Sequence, residues 1–353
     1  MIAKTLAGLE PVLAEELRLM GAKSIQPLKR AVAFDGDMDL MYRANYELRT
    51  ALRILVPLRS FSAYDERSYY EAIREINWIQ LMGVNDSLAI DAVTQGEVFR
   101  HSHYLGLLTK DGIVDQFRDR YNRRPNVNTV SPTLRINVHV QGTHVDISLD
   151  SSGDSLHKRN YRRDTVEAPL NEVLAAGMIL LSGWNGKGPF VDPMCGSGTL
   201  PIEAAMIATQ TPTQFRRESF GFFKWLDFDA KRWKAVKEAA DARVQPFEFP
   251  ILASDKESRA RNATALNLMS AGLEKWVRVE KMPFDKLEAP EPPGTLIMNP
   301  PYDERLKVED TIAFYKGIGD LLKKRWPGWN AWIISSTRDA MKHIGLRPSQ
   351  RIT

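Results

Sequence analysis

Four short stretches concentrate the residues able to do chemistry. Residues 190–200 read FVDPMCGSGTL: an apolar entry, an acid at Asp192, then Pro193, then Gly196 and Gly198 one residue apart, with Thr199 opening a helix that carries Pro201 in its first turn. ILASDKES sets Asp255, followed by Lys256, at the end of a second apolar run, and MPFDKL places Phe284 and Asp285 after a third. TLIMNPPY ends a fourth run on Asn299, Pro300, Pro301 and Tyr302.

The glycines of the first stretch let the backbone bend tightly against a ligand, and two phosphate cradles can be set aside. A P-loop requires Gly-Lys-Ser/Thr, whereas Gly198 is followed by Thr199 and Leu200. A dinucleotide fingerprint requires a third glycine, but position 201 is proline, and the next strand-ending acid, Asp255, lies far beyond the usual spacing of about 20 residues. A methyl donor fits better. Asp192 supplies a carboxylate near a sulfonium and an ammonium group, while Gly196 and Gly198 admit the amino-acid tail, with Pro193, Thr199 and Lys256 beside them. Asp255 is placed to accept from both ribose hydroxyls, and Asp285 from an adenine amino group, with Phe284 as an apolar wall. Each acid alone is more often a helix cap or a surface residue. Their order along consecutive runs is what lays out an adenosyl cofactor from tail to base.

Asn299, Pro300 and Tyr302 are the candidate catalytic residues. Consecutive prolines fix φ and remove two N–H groups, so a rigid loop turns its carbonyls and the Asn299 amide toward a pocket. Such acceptors suit an exocyclic amine, whose lone pair is delocalised into the base ring and must be aimed at the methyl group. Tyr302 can stack on the base, a contact worth about 1 to 3 kcal/mol. The competing reading is a proline-rich turn with a buried tyrosine; the cofactor acids upstream favour the functional one.

These motifs need a sheet to position them. Residues 190–192, 251–255, 277–280, 296–298 and 331–335 read as strands, alternating with helical stretches such as 168–184, as a doubly wound parallel sheet requires. Upstream, Leu9, Val12, Leu13, Leu17 and Met20 form a helical stripe that stops at Gly21, and 31–36 and 51–61 read as strands flanking a helix near 38–49. A helix over 65–82, a strand over 88–93, a helix from 102 that turns Leu105, Leu108, Ile113 and Phe117 inward, and strands 134–140 and 143–150 follow. The first 150 residues hold no cluster of acid, base and nucleophile; a binding role suits them.

Composition narrows the partners. The 353 residues, 43% hydrophobic and 26% charged, predict a soluble, cytoplasmic protein of two or three domains with no membrane span and no signal-peptide core. Cys195 is the lone cysteine and the six histidines show no metal spacing, so neither a disulfide framework nor a metal is expected. Net charge is only +4, yet residues 100–163 hold eleven Lys or Arg against six Asp. Such a basic segment attracts polyanions by counterion release, or is merely a solvated face. Lys110, Arg118, Arg123, Arg124, Arg159 and Arg162 are its candidate nucleic-acid contacts. Residues 211–234 interleave Phe215, Phe220, Phe222, Phe223, Trp225, Phe228 and Trp233 with Arg216, Arg217 and Lys224, a pattern that fits an unpaired base but more often marks packing.

DPMCGSGT, SDKES, PFDKL and NPPY, with SGDSLHKRNYR, APLNEVLAA and NPPYDERL, resemble the RlmL type of bacterial large-subunit ribosomal RNA guanine-N2 methyltransferase, through nearly the whole chain. The resemblance implies a ferredoxin-like module over 1–55, a THUMP RNA-binding domain over 56–153, a basic linker over 154–170 and a class I S-adenosylmethionine-dependent methyltransferase domain over 171–353. It further implies that Asp192, Gly196 and Gly198 contact the methionine end, Asp255 the ribose, Asp285 the adenine amine, and 299–302 the target base. The partner is then 23S ribosomal RNA, with no obligate protein partner. Guanine N2 in tRNA and adenine N6 in DNA remain alternative targets, and a non-catalytic RNA-binding factor a third class. Two positions depart from the family: Asn160 stands where glycine is common, a residue that tolerates positive φ, and Asp303 follows the clamp tyrosine where glycine is usual, a charge that can alter target preference or simply cap the next helix. The chain ends at Thr353, earlier than the resemblance implies, as if a final strand were missing.

Overall fold

A computed structural model describes residues 1–166, 169–291, 293–301, 308–335 and 338–352. Two compact units emerge: residues 1–158 with 217–238, and residues 159–216 with 239–353. Among the described residues no helix is long and apolar enough to cross a membrane.

The first unit is built on one eight-stranded sheet. β1 (Ile2–Lys4), α1 (Glu10–Leu19), β2 (Lys23–Leu28), β3 (Ala31–Asp35), α2 (Met38–Glu47) and β4 (Arg53–Ser62) run in the β-α-β-β-α-β order of a ferredoxin-like module. Then α3 (Glu66–Arg74), β5 (Ser87–Gln95), α4 (Ser102–Tyr121), β6 (Asn126–Val127), β7 (Leu134–Gln141) and β8 (His144–Asp150) extend the same sheet, whose order is β2-β3-β1-β4-β8-β7-β5-β6. Local sequence accounts for much of this. Leu9, Leu13 and Leu17 are buried at helical spacing, and Gly21 takes φ +86° just past the end of α1. In β7, Leu134, Ile136, Val138 and Val140 are buried in alternation. The helix predicted over 65–82 is shorter. Asp65 starts it with a capping box to Ser68, but after Glu75 the chain turns so that Trp78 sinks its ring into the core and donates from its indole N–H to the Ile73 carbonyl at 2.9 Å.

Residues 217–238 pack within this unit. Phe222 lies 4.7 Å from the Tyr42 ring and Trp233 5.5 Å from that of Tyr46, Phe220 and Phe222 stack at 5.1 Å, and the Asp229 N–H donates to the Tyr42 hydroxyl. The aromatic run thus fills a core against α2, the reading its composition favoured.

The second unit holds α5 (Glu172–Leu181), β9 (Phe190–Asp192), α6 (Thr199–Ala208), β10 (Ile251–Asp255), α8 (Ser258–Ala271), β11 (Val277–Lys281), β12 (Thr295–Met298), α9 (Val308–Arg325), β13 (Asn330–Ile333) and α10 (Arg338–Met341); α7 (Ala230–Asp241) runs before β10. All five strands are parallel, in the order β11-β10-β9-β12-β13. The near-continuous burial of the three central strands, β10, β9 and β12, follows from helices covering both faces. Alternate side chains feed two cores: Phe190, Ile251, Ala253 and Ile297 pack with α5, α6 and α8, while Val191, Leu252, Leu296 and Met298 pack with Ile318 and Leu322 of α9. The strand order reverses between β9 and β12, the position at which open α/β sheets bind ligands beyond their carboxyl ends.

Candidate active site

Asp192 ends β9 with its carboxyl 1% exposed. Its Oδ1 accepts from the Met194 N–H at 3.1 Å, but burial dominates and, helped by the nearby Asp255 carboxylate, pushes the group up to about 8. The chain then turns through Gly196 at φ +54° and Gly198 at φ +87°, and α6 begins at Thr199. Gly198 is required on two counts: its φ is left-handed, and a Cβ there would lie 2.8 Å from Cγ2 of Thr264. Cys195 is buried behind the turn, its thiol pushed up by desolvation and 3.5 Å from Thr264 Oγ1, so it is a filler and not a nucleophile.

Asp255, at the end of the neighbouring strand β10, is half-buried and accepts from two backbone N–H groups, Gly196 at 3.1 Å and Glu257 at 3.0 Å. The carboxylate therefore bridges the glycine turn and the start of α8. Lys256 beside it is exposed. Beyond β11, Asp285 is exposed, and its carbonyl accepts from Arg325. Phe284 is 5% exposed and packs on Trp326 at 5.7 Å, which commits its ring to the core instead of leaving it as a wall. At the end of β12, Asn299 is half-buried, Pro300 buried and Pro301 exposed; Tyr302 and Asp303 lie outside the described residues.

Sequence reasoning missed the buried bracket around this turn. Asn267, 0% exposed on α8, accepts at Oδ1 from the N–H groups of Arg163 (2.7 Å) and Asp164 (3.1 Å) and donates from Nδ2 to the carbonyls of Asp164 (2.8 Å) and Ser197 (2.9 Å). The only signal was an asparagine inside a helix, a position it disfavours. Arg162 adds a second tie, donating to Ser197 Oγ at 2.9 Å and Thr199 Oγ1 at 3.1 Å while pairing with Glu172 at 2.6 Å.

That geometry corrects the nucleic-acid assignment of two arginines. Arg159 is 1% exposed and paired with Glu203 at 3.2 Å, and Arg162 is spent on the turn, so neither presents a guanidinium to phosphate. In the first unit, Lys110 sits 2.8 Å from Asp111, Arg118 2.8 Å from Asp115, and Arg123 donates to Asn85 at 2.6 Å; Arg123 and Arg124 are exposed at the C-terminal end of α4. Among the described residues no group of three His, Cys, Asp or Glu side chains stands ready for a metal.

A bend with glycines at 196 and 198, a buried acid, and a second acid on the adjacent strand fit the tail and ribose of an adenosyl sulfonium. With the five-stranded parallel sheet they define an S-adenosylmethionine-dependent methyltransferase of the class I fold. Residues 159–353 match the family described as RMKL-like, methyltransferase domain; residues 1–55 match the RlmL ferredoxin-like domain and 63–150 the THUMP domain. The chain belongs to the RMKL-like methyltransferase family. It is 36% identical to a putative RNA methyltransferase of Synechocystis sp., over 98% of this chain and 90% of that one. It is 37% identical to the ribosomal RNA large subunit methyltransferase K/L of Syntrophotalea carbinolica, over 96% of this chain and 49% of the relative, so it spans about half the length of such K/L proteins. Among solved structures, a putative methyltransferase complexed with SAH, SMU.472, superposes with TM-score 0.88 at 27% identity, over 99% of this chain and 92% of that one. A Listeria monocytogenes structure described as a predicted N6-adenine-specific DNA methylase gives 0.88 at 26%, with the same coverage of both chains.

Proposed function

We propose that the protein transfers the methyl group of S-adenosylmethionine to the exocyclic N2 amine of a guanine in large-subunit (23S) ribosomal RNA, in the cytoplasm. The observation that carries this reading is the Asn299-Pro300-Pro301 corner, which follows β12 directly beside β9 and its Asp192, on the carboxyl side of the sheet where the strand order reverses. The cofactor supplies a methyl group already activated on a sulfonium. Asp192 balances its ammonium tail, Asp255 takes the ribose hydroxyls and Asp285 the adenine amine. The Asn299 amide oxygen and the Pro300 carbonyl accept from the target amine and hold its lone pair in line with the methyl carbon. As the new C–N bond forms, the methyl–sulfur bond would break with its electron pair staying on the sulfur of S-adenosylhomocysteine, and positive charge would develop on the target nitrogen; the two acceptors would stabilise it until its proton passes to water. Tyr302 stacks on the base once it is flipped out.

The THUMP match and the large-subunit name of the K/L relatives support RNA, with residues 56–153 as the grip, 154–170 as connector and 171–353 as catalyst. The description of the Listeria neighbour keeps adenine N6 in DNA as the second reading, since the diproline corner accepts either amine. Nucleoside mass spectrometry of a deletion strain separates them: loss of N2-methylguanosine from large-subunit rRNA is expected, and loss of N6-methyladenine from DNA, or of N2-methylguanosine from tRNA alone, overturns the assignment. With purified protein, Asn299→Ala should lower RNA methylation at least a hundredfold while S-adenosylhomocysteine still binds; wild-type turnover would rule out the clamp.

A further inference from the structure

Besides Asp255, a stretch of chain that enters the second unit just before α5 also holds the glycine turn. Arg162, Arg163 and Asp164 run along it, and Val166 closes over it, its Cγ2 lying 3.3 Å from where a Cβ on Gly196 would be. Two side chains, Asn267 and Arg162, tie this strap to the turn, and a third bond ties the turn to α8. The Asn267 amide joins the backbone of 163–164 to the Ser197 carbonyl; the Arg162 guanidinium joins the hydroxyls of Ser197 and Thr199 to Glu172; Thr264 Oγ1 donates to the Gly196 carbonyl at 3.0 Å. The side chains of Asn267 and Arg162 thus fix groups of the turn itself, Ser197 O, Ser197 Oγ and Thr199 Oγ1, while the amide of Gly196 donates to Asp255. A bend with two glycines is otherwise free to sample many backbone states, and that freedom must be given up when a ligand binds.

We infer that Asn267 and Arg162 are positioning residues for the cofactor: they preorganise the 194–199 turn and so set the affinity for S-adenosylmethionine without touching the reacting atoms. This rests on the reading of the turn as the cofactor cradle, and it concerns affinity alone, so it stands apart from the identity of the RNA or base. The strap arrives 103 residues before Asn267 in the chain, and Ser197 lies 70 residues before it. A side chain spanning those three segments and satisfied at all four of its hydrogen-bonding positions does more than close a helix onto its neighbour.

Two near-isosteric changes test it in the full chain. Asn267→Asp keeps the shape but replaces two donors by a carboxylate oxygen facing two carbonyls, and Arg162→Lys keeps the charge but loses the fork that reaches Ser197, Thr199 and Glu172 together. Titration calorimetry with S-adenosylhomocysteine should give dissociation constants raised about tenfold for each, the scale of one lost buried hydrogen bond. Amide exchange should quicken across 194–199 in the cofactor-free variants and stay unchanged in β10 and β12. In methylation assays the KM for S-adenosylmethionine should rise while kcat at saturation holds. If Asn267→Asp does not fold, Arg162→Lys decides alone. A folded variant with wild-type affinity and wild-type exchange over the turn overturns the inference, whereas a wild-type protein that binds no S-adenosylhomocysteine overturns the cradle reading itself.

Discussion

Asp192 is a carboxyl group that solvent does not reach, and with the cofactor role proposed for it, its ionisation would make cofactor binding depend on pH. In the cofactor-free protein burial and the Asp255 carboxylate raise it to about 8, against about 4 for an ordinary aspartate. At neutral pH it is therefore mostly protonated, and on the proposed reading an arriving ammonium group drives the proton off. Calorimetry of S-adenosylmethionine binding in buffers of different ionisation enthalpy should show close to one proton released at pH 6.5, with affinity rising up to about tenfold per pH unit from about pH 5.5 to 7, below the range where the ligand's own α-amino group titrates; equal heats in all buffers at pH 6.5 would sink the idea. Stability without cofactor carries the opposite sign. The unfolded chain loses this proton near pH 4 and the folded chain only near 8, so between those values the folded state binds the extra proton and stability falls as pH rises, by up to about 1.4 kcal/mol per unit. Asp192→Asn should remove that slope, melting higher than wild type at pH 8, while abolishing cofactor binding. The basic residues show the same dependence on surroundings: Arg159 and Arg124 are identical as letters, yet one is sealed against Glu203 and the other lies in water.

At the scale of elements, the strand, turn and helix from β9 to α6 fit together because the turn has no side chain at Gly198, where Thr264 of α8 approaches. Gly198→Ala imposes a left-handed φ on a residue with a Cβ and drives that Cβ into Thr264 Cγ2. The expected cost is about 1 to 3 kcal/mol, read as a lowered midpoint in urea with unchanged slope. Thr264→Ser in the Gly198→Ala background removes the methyl but keeps the hydroxyl, so it should recover part of the loss; no recovery would mean that backbone strain alone is at work. Elements whose cause is local were legible beforehand. The alternation in β7, the stripe of α1 and the Gln141-Gly142 turn between β7 and β8 stand where their patterns put them, and Asn160 takes φ +65° as a glycine substitute would. The helix over 65–82 was overdrawn because its pattern carries no sign that Trp78 would leave the helix to fill the core. The short strands β1 and β2 went unseen because three to six residues are too few to show a period.

For the molecule as a whole, the proposed function assigns RNA binding to the unit that carries the exposed basic end of α4 and methyl transfer to the unit that carries the glycine turn. Arg123→Ala and Arg124→Ala should each weaken binding of large-subunit rRNA fragments several-fold at moderate salt and lower the slope of log affinity against log salt by about 1, with S-adenosylhomocysteine affinity unchanged. An unchanged salt slope would take these arginines off the RNA. By itself the sequence determined the four motifs, their order along the chain and the alternation of strands and helices, because spacing, glycine and proline act within a few residues of themselves. Only the tertiary structure decided which charges stay free, that residues 217–238 fold with α2, and that Asn267 braces a turn 70 residues away. Burial and pairing are properties of surfaces brought together from distant parts of the chain, and no local pattern of residues encodes which surfaces will meet.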